Sequence, residues 1–102
     1  MNITLRQLQT FVVVARLGSV TAAAAELHLT PPAVSMQLRE LESQVGLALF
    51  DREGRRLSLS TAGEYFVVHA RRILADVKDA ASAMARFKKV ETGLLTIGMV
   101  ST

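Results

Sequence analysis

Between Phe66 and Phe87 the chain carries an apolar stripe that a small globular body cannot hide. Phe66, Ala70, Ile73, Val77, Ala80, Met84 and Phe87 recur at spacings of 4, 3, 4, 3, 4 and 3 residues. That is a heptad seam sustained over three heptads. Val67, Leu74 and Ala81 add a third column to it. Ser60 opens the helix, which is predicted over Thr61 to about Val90. At about 1.5 Å per residue it is roughly 45 Å long. A body of about 58 residues ahead of it is too small to bury the whole stripe, so most of the seam is expected to meet a second copy of the chain. Composition agrees: 50% of the 102 residues are hydrophobic and only 5% aromatic, apolar for a chain with so small a core.

Ahead of the seam, helix punctuation is dense. Thr4 and Gln7 have the spacing of a capping box, and Leu5, Leu8, Phe11, Val12 and Ala15 follow at helical spacing up to Gly18. Ser19 caps a second, short helix from Val20 to about Leu27. Its Ala22-Ala23-Ala24-Ala25 run has no bulk, so another helix can approach closely. After the tight connection Leu27-His28-Leu29, Thr30 caps a third helix with Pro31 at its first position, where the missing N–H costs nothing. Val34, Leu38, Leu41 and Val45 form its buried stripe, and Gly46 ends it. From Ala48 to Ser60 the pattern changes. Leu57 and Leu59 alternate with Ser58 and Ser60, and Leu49-Phe50 precede a turn containing Gly54, the pattern of a small hairpin with Arg55 and Arg56 near its tip. After the long helix, Glu91-Thr92-Gly93 is read as a break. Leu94 to Val100 is read as a strand opening a further domain. The division is 1–59, 60–91 and 92–102.

A short helix, a tight turn and a second helix make a helix-turn-helix, which serves DNA because a helix fits the major groove while its predecessor braces it. Opposite the Val34 stripe lie Pro32, Met36, Arg39, Glu40 and Ser43, with Ser35 on the flank. Short side chains and few charges suit a base-reading surface, although the solvated face of an ordinary bundle has the same look. The hairpin favours DNA: Arg52, Arg55 and Arg56 directly after a helix-turn-helix have the character of a wing reaching phosphates or a minor groove. The net charge of +3 and the pI of about 10.0 are compatible with this. A helical protein-interaction module that never meets DNA is the alternative, and the wing arginines and the polar helix face argue against it.

Other chemistry lacks residues. There is no cysteine, which removes disulfides, thiolate metal sites and cysteine nucleophiles and fits a reducing cytoplasmic compartment. His28 and His69 have no second ligand at a useful spacing, and the glycines form no phosphate-binding pattern. Arg71, Arg72 and Lys78 read as solvated or inter-subunit charges. No enzyme activity, cofactor or metal is expected. The start Met1-Asn2-Ile3-Thr4 is no signal peptide, and no apolar run is long enough to span a bilayer.

Several ordered motifs are recognisable: Leu5-Arg6-Gln7-Leu8 with Phe11, Gly18-Ser19-Val20-Thr21-Ala22-Ala23-Ala24, Leu27-His28-Leu29-Thr30, Pro32-Ala33-Val34-Ser35, Leu41-Glu42, Gly46, Leu49-Phe50-Asp51-Arg52 and Leu59-Ser60-Thr61-Ala62-Gly63. Together they cover essentially the whole chain and resemble the LysR-type transcriptional regulators. The resemblance implies a mainly α fold: a winged helix-turn-helix, built as a three-helix bundle plus a β-hairpin wing, then a long dimerising linker helix. It implies binding of double-stranded DNA at inverted repeats and a homodimer that assembles into tetramers. It also implies a small-molecule effector held by a C-terminal domain, with RNA polymerase as a further expected partner. Leu95-Thr96-Ile97-Gly98-Met99-Val100-Ser101-Thr102, with the Leu5-to-Phe11 region, is most similar to the subgroup controlling carbon-fixation (Calvin-cycle) operons. Two positions depart from the pattern: family members commonly have glutamine where Pro31 stands and arginine where Met36 stands. Both changes remove polar base contacts, so the family's readout does not transfer whole; the resemblance carries over Thr30, Pro32, Ser35 and Arg52, with Gln37 and Arg39, and the expected DNA-facing set adds Pro31, Met36, Arg55 and Arg56.

The seam makes a first prediction. Ile73→Glu places an unpaired carboxylate in an apolar interface, at a cost of several kcal/mol. Sedimentation of the chain should show a dimer or larger species for the wild type and monomer for this variant.

Overall fold

The computed structural model describes residues 2–54 and 56–97. Three short helices, α1 (Leu5–Leu17), α2 (Val20–Leu27) and α3 (Pro31–Val45), precede a hairpin of β1 (Phe50–Glu53) and β2 (Arg56–Leu59) and a long helix α4 (Thr61–Ile97). The predicted caps form. Thr4 Oγ1 accepts from the Gln7 N–H at 3.1 Å, and Gln7 Oε1 accepts from the Thr4 N–H at 3.1 Å. Ser19 Oγ accepts from the Ala22 N–H at 3.1 Å, and Thr30 Oγ1 from the Ala33 N–H at 3.3 Å. Gly18 ends α1 with φ 69°, in the left-handed region that side chains avoid. The tight connection between α2 and α3 turns on His28, which ends α2 at φ 58°. A side chain at that φ is uncommon, and histidine is among the residues that tolerate it best.

The core is assembled from these faces. Leu8, Phe11 and Val14 of α1, Ala23 and Ala24 of α2, and Val34, Leu38 and Leu41 of α3 are buried together with Leu49, Val67 and Ala70. Phe11, at 0% exposure, sits at the centre. Its ring meets Phe50 of β1 edge-on with centroids 5.4 Å apart, and Phe66 of α4 at the same distance. Such aromatic pairs add about 0.5–1.5 kcal/mol beyond area burial. They tie the hairpin and the start of the long helix to α1.

The hairpin is antiparallel, with Phe50 opposite Leu59, Arg52 opposite Leu57 and Glu53 opposite Arg56. It is anchored to the bundle where the Leu57 N–H donates to the Gly18 carbonyl at 3.2 Å.

Two expectations about α4 are corrected. The break at Glu91-Thr92-Gly93 does not occur, and the helix runs through Ile97. One glycine inside a helix costs only about 1 kcal/mol. The remainder of the expected strand, residues 98–102, lies outside the described residues. The seam is also divided. Ala70 is buried by the chain's own core, and Phe66 is half-buried there. Ile73, at 42%, Val77, Met84 and Phe87, at 61%, stay exposed. Ala80 is exposed as well. The N-terminal part of α4 therefore belongs to the bundle and only the rest projects from it, giving a molecule 66 Å long and 25 by 20 Å across.

Leu49 joins these parts. Its N–H donates to Glu42 Oε2 of α3 at 2.7 Å, and its carbonyl accepts from the Ser60 N–H at 3.0 Å. Ser60 Oγ in turn donates to the Ala48 carbonyl at 2.7 Å and accepts from the Gly63 N–H at 3.0 Å. Gly63 packs so closely that a Cβ there would lie 2.0 Å from the Leu49 carbonyl oxygen. That oxygen belongs to backbone and cannot simply swing away. Gly63→Ala is therefore expected to destabilise the chain by about 1–3 kcal/mol. Thermal unfolding should fall by about 4–8 °C for each kcal/mol lost.

Candidate nucleic-acid interface

The outward face of α3 is as the spacing predicts. Val34, Leu38 and Leu41 point inward, while Pro32, Met36, Arg39, Glu40 and Ser43 are exposed and Ser35 is half-buried on the flank. Met36 is 52% exposed, high for a methionine and consistent with its placement opposite the stripe. Beside it runs an open groove lined by Met36, Arg39, Glu40, Ser43 and Gln44 of α3, with Asn2 and Gln7 from the start of the chain.

The N-terminus of α3 is unusual electrostatically. Helix N-termini attract phosphates through unpaired N–H groups. Here Pro31 and Pro32 have no N–H, the Ala33 N–H is held by Thr30 Oγ1, and the Val34 N–H by the Thr30 carbonyl at 3.1 Å. Any anion at this surface must be met by side chains. Thr30, counted among the DNA-facing residues, has its hydroxyl engaged as the cap.

The hairpin supplies cations, but on two faces. Cross-strand pairs share a face of the ribbon. Arg52 pairs with Leu57, on the side of Phe50 and Leu59 that turns to the bundle. It therefore lines a recess of about 290 Å³ together with Ser35 and Arg39 of α3 and Val20 of α2. Arg56 stands on the other face with Asp51 and Ser58 and is exposed. Within the basic turn expected from the sequence, the pleat thus separates Arg52 from Arg56. Arg55 lies outside the described residues. What the fold brings together is Ser35, Arg39 and Arg52. Among the described residues the ion pair is between Arg16 and Glu26, on another part of the surface, so neither Arg39 nor Arg52 is neutralised by a salt bridge.

Gln37, also among the candidates, is half-buried and receives a hydrogen bond from the hydroxyl of Thr10 on α1. Sequence reasoning passed over Thr10. The available signal was a polar residue next to Phe11 in an otherwise apolar face. It likewise passed over Glu42 as a junction residue. Among the described residues no three His, Cys, Asp or Glu side chains gather as a metal site would require, and no helix is long and apolar enough to cross a membrane.

Residues 5–64 match the model of the bacterial regulatory helix-turn-helix proteins of the lysR family. The chain belongs to the LysR family. Among similar proteins is the transcriptional regulator CfxR of Cupriavidus necator, 55% identical over 100 residues that make up 98% of this chain and 32% of that protein. Another is CbbR of Rhodospirillum rubrum, 50% identical over 98 residues, 96% of this chain and 33% of that protein. The RuBisCO operon transcriptional regulator of Allochromatium vinosum is 43% identical over 102 residues, all of this chain and 34% of that protein. This LysR-family chain thus spans about a third of the length of these relatives. Solved structures agree on the fold. Vibrio fischeri DarR in complex with DNA superposes with a TM-score of 0.82 at 29% identity, over 88% of this chain and 31% of that one. The CbnR DBD–DNA complex gives 0.75 at 35% identity, over 84% of this chain and 98% of that one. The winged helix-turn-helix is therefore the architecture of this LysR-family chain, and its similar proteins are transcriptional regulators rather than enzymes.

The two arginine faces separate in a salt titration. Each lost phosphate contact reduces the log–log salt slope of duplex binding by about one unit. In fluorescence titrations with mixed-sequence duplex DNA, Arg52→Ala should flatten the slope by about one unit per arm, and Arg56→Ala should change it less.

Proposed function

We propose that this LysR-family chain reads double-stranded DNA at an inverted repeat as a homodimer, and that it regulates a carbon-fixation operon. The observation that carries the DNA reading is the single surface formed by Ser35, Arg39 and Arg52 beside the exposed Met36. A helix face of short side chains enters the major groove, and the arginine of the wing reaches the backbone at its edge. That DarR and the CbnR DBD, which share this fold, are solved in complex with DNA supports the DNA-binding reading. The operon assignment is supported by the similarity to the RuBisCO operon transcriptional regulator of Allochromatium vinosum.

Pairing is supported by the exposed Ile73, Val77, Met84 and Phe87 on α4, which place apolar side chains in water unless a second copy covers them. Residues 1–59 form the DNA-reading head, 60–91 the pairing helix and 92–102 the approach to an effector domain, with the helix continuing through Ile97. In the whole protein, a small metabolite bound outside this chain would bias the paired heads, tetramers would engage the operator, and RNA polymerase would be the downstream partner in the cytoplasm.

Met36 tests the reading. A thioether cannot make the bidentate contact to guanine that an arginine makes, and its natural partner is a thymine methyl. In selection from genomic fragments, Met36→Arg should move preference toward guanine at one base pair per half-site, by about 1–3 kcal/mol of discrimination. Met36→Ala should weaken the selected site more than random duplex. Unchanged preference in both variants would show that this face of α3 does not meet the bases.

A further inference from the structure

Among the described residues, Thr10 is the buried polar side chain of an otherwise hydrocarbon core, 1% exposed beside Leu8, Phe11 and Val14. Its hydroxyl donates to Oε1 of Gln37, 27 residues away on the recognition helix. A hydroxyl placed in such a core is costly unless bonded, so the pair is matched across the two helices.

The other end of Gln37 matters more. Among the described residues no hydrogen bond engages its amide nitrogen, and no buried side-chain nitrogen or oxygen is left without a partner. The amide nitrogen therefore reaches solvent. With the oxygen held inside by Thr10, the end of the side chain that is presented outward is the NH2, a donor and not an acceptor. Gln37 follows Met36 directly on α3, at the edge of the outward face nearest α1. A phosphate oxygen accepts hydrogen bonds and donates none. The N-terminus of α3, stripped of N–H donors by Pro31 and Pro32, offers it little else.

We propose that Thr10 is a positioning residue for DNA binding: by holding Oε1 of Gln37 from within the core, it turns the Gln37 amide outward as an oriented donor to a phosphate at the flank of the reading face. This rests on the DNA-binding reading above.

The test uses the whole chain and a labelled duplex recovered by selection from genomic fragments. Fold is followed by circular dichroism and thermal melting. Gln37→Glu keeps an oxygen for Thr10 to donate to, but replaces the outward donor with a carboxylate oxygen facing phosphate. It should melt close to the wild type and bind the duplex at least about tenfold more weakly, the scale of a lost hydrogen bond to a charged group. Thr10→Val should weaken binding, and Thr10→Ser, which restores the hydroxyl, should recover it. Because Thr10 acts through Gln37, Thr10→Val should add no further loss of affinity on a Gln37→Ala background. If Thr10→Val fails to fold, Gln37→Glu and Thr10→Ser still decide. A folded Gln37→Glu with wild-type affinity overturns the inference, and so does a Thr10→Val effect that persists in full on the Gln37→Ala background. Both results leave DNA binding intact. A wild type that binds no duplex overturns the DNA-binding reading, and this inference with it.

Discussion

The backbone of Leu49 is the joint on which the rest of the molecule depends. Its N–H is held by Glu42 from the recognition helix, its carbonyl by Ser60 from the start of the long helix, and its side chain is sealed in the core. A carboxylate accepting from a backbone N–H in a partly buried setting is a charge-assisted bond, shorter and stronger than a neutral one. Gly63 closes against the same carbonyl from the other side. Through this one peptide, α3, proposed above to read DNA, and α4, proposed above to pair two copies, are held together. Because the reading head is carried on α4, the spacing of two heads across a dimer inherits whatever rigidity this joint has. Half-site recognition depends on that spacing.

The reading surface itself is economical in charge. Arg39 and Arg52 converge from a helix and a strand, while Glu42, which lines the same recess, is engaged with the Leu49 N–H. The proline pair removes the donors that a helix N-terminus normally presents, so binding must run through side chains whose orientation the core controls. Phe11 supports this from beneath. It packs on Phe50, two residues from Arg52, and on Phe66 at the root of α4.

Much of the fold was legible because caps and stripes are local. Thr4, Ser19 and Thr30 bond to groups three residues away, and Gly18 and Gly46 end helices by their own backbone freedom. The position of Met36 opposite Val34 follows from the helical period alone. The division of the heptad seam was not legible, since Phe66 and Ile73 are equivalent as far as spacing goes. Only the packing of α1 against the first turns of α4 separates the buried part from the exposed part. The passage of α4 through Glu91-Thr92-Gly93 was missed for a related reason. A glycine reads as a stop, yet a single glycine inside a helix costs only about 1 kcal/mol, which the bonds of the turns on either side outweigh.

The amino-acid sequence by itself determined where α1, α2 and α3 begin and end and where α4 begins, which face of α3 is outward, and that an apolar stripe runs beyond what the bundle can cover. These follow from interactions within about one helical turn and from side-chain volume. Tertiary structure alone decided that Arg52 joins Arg39 while Arg56 faces away, and that Thr10 holds Gln37 across 27 residues. It also decided that Gly63 must lack a side chain because the Leu49 carbonyl occupies its place. Each of these joins residues from different elements. Their distance is set by how the helices and the hairpin pack on Phe11 and Leu49, which no local pattern encodes.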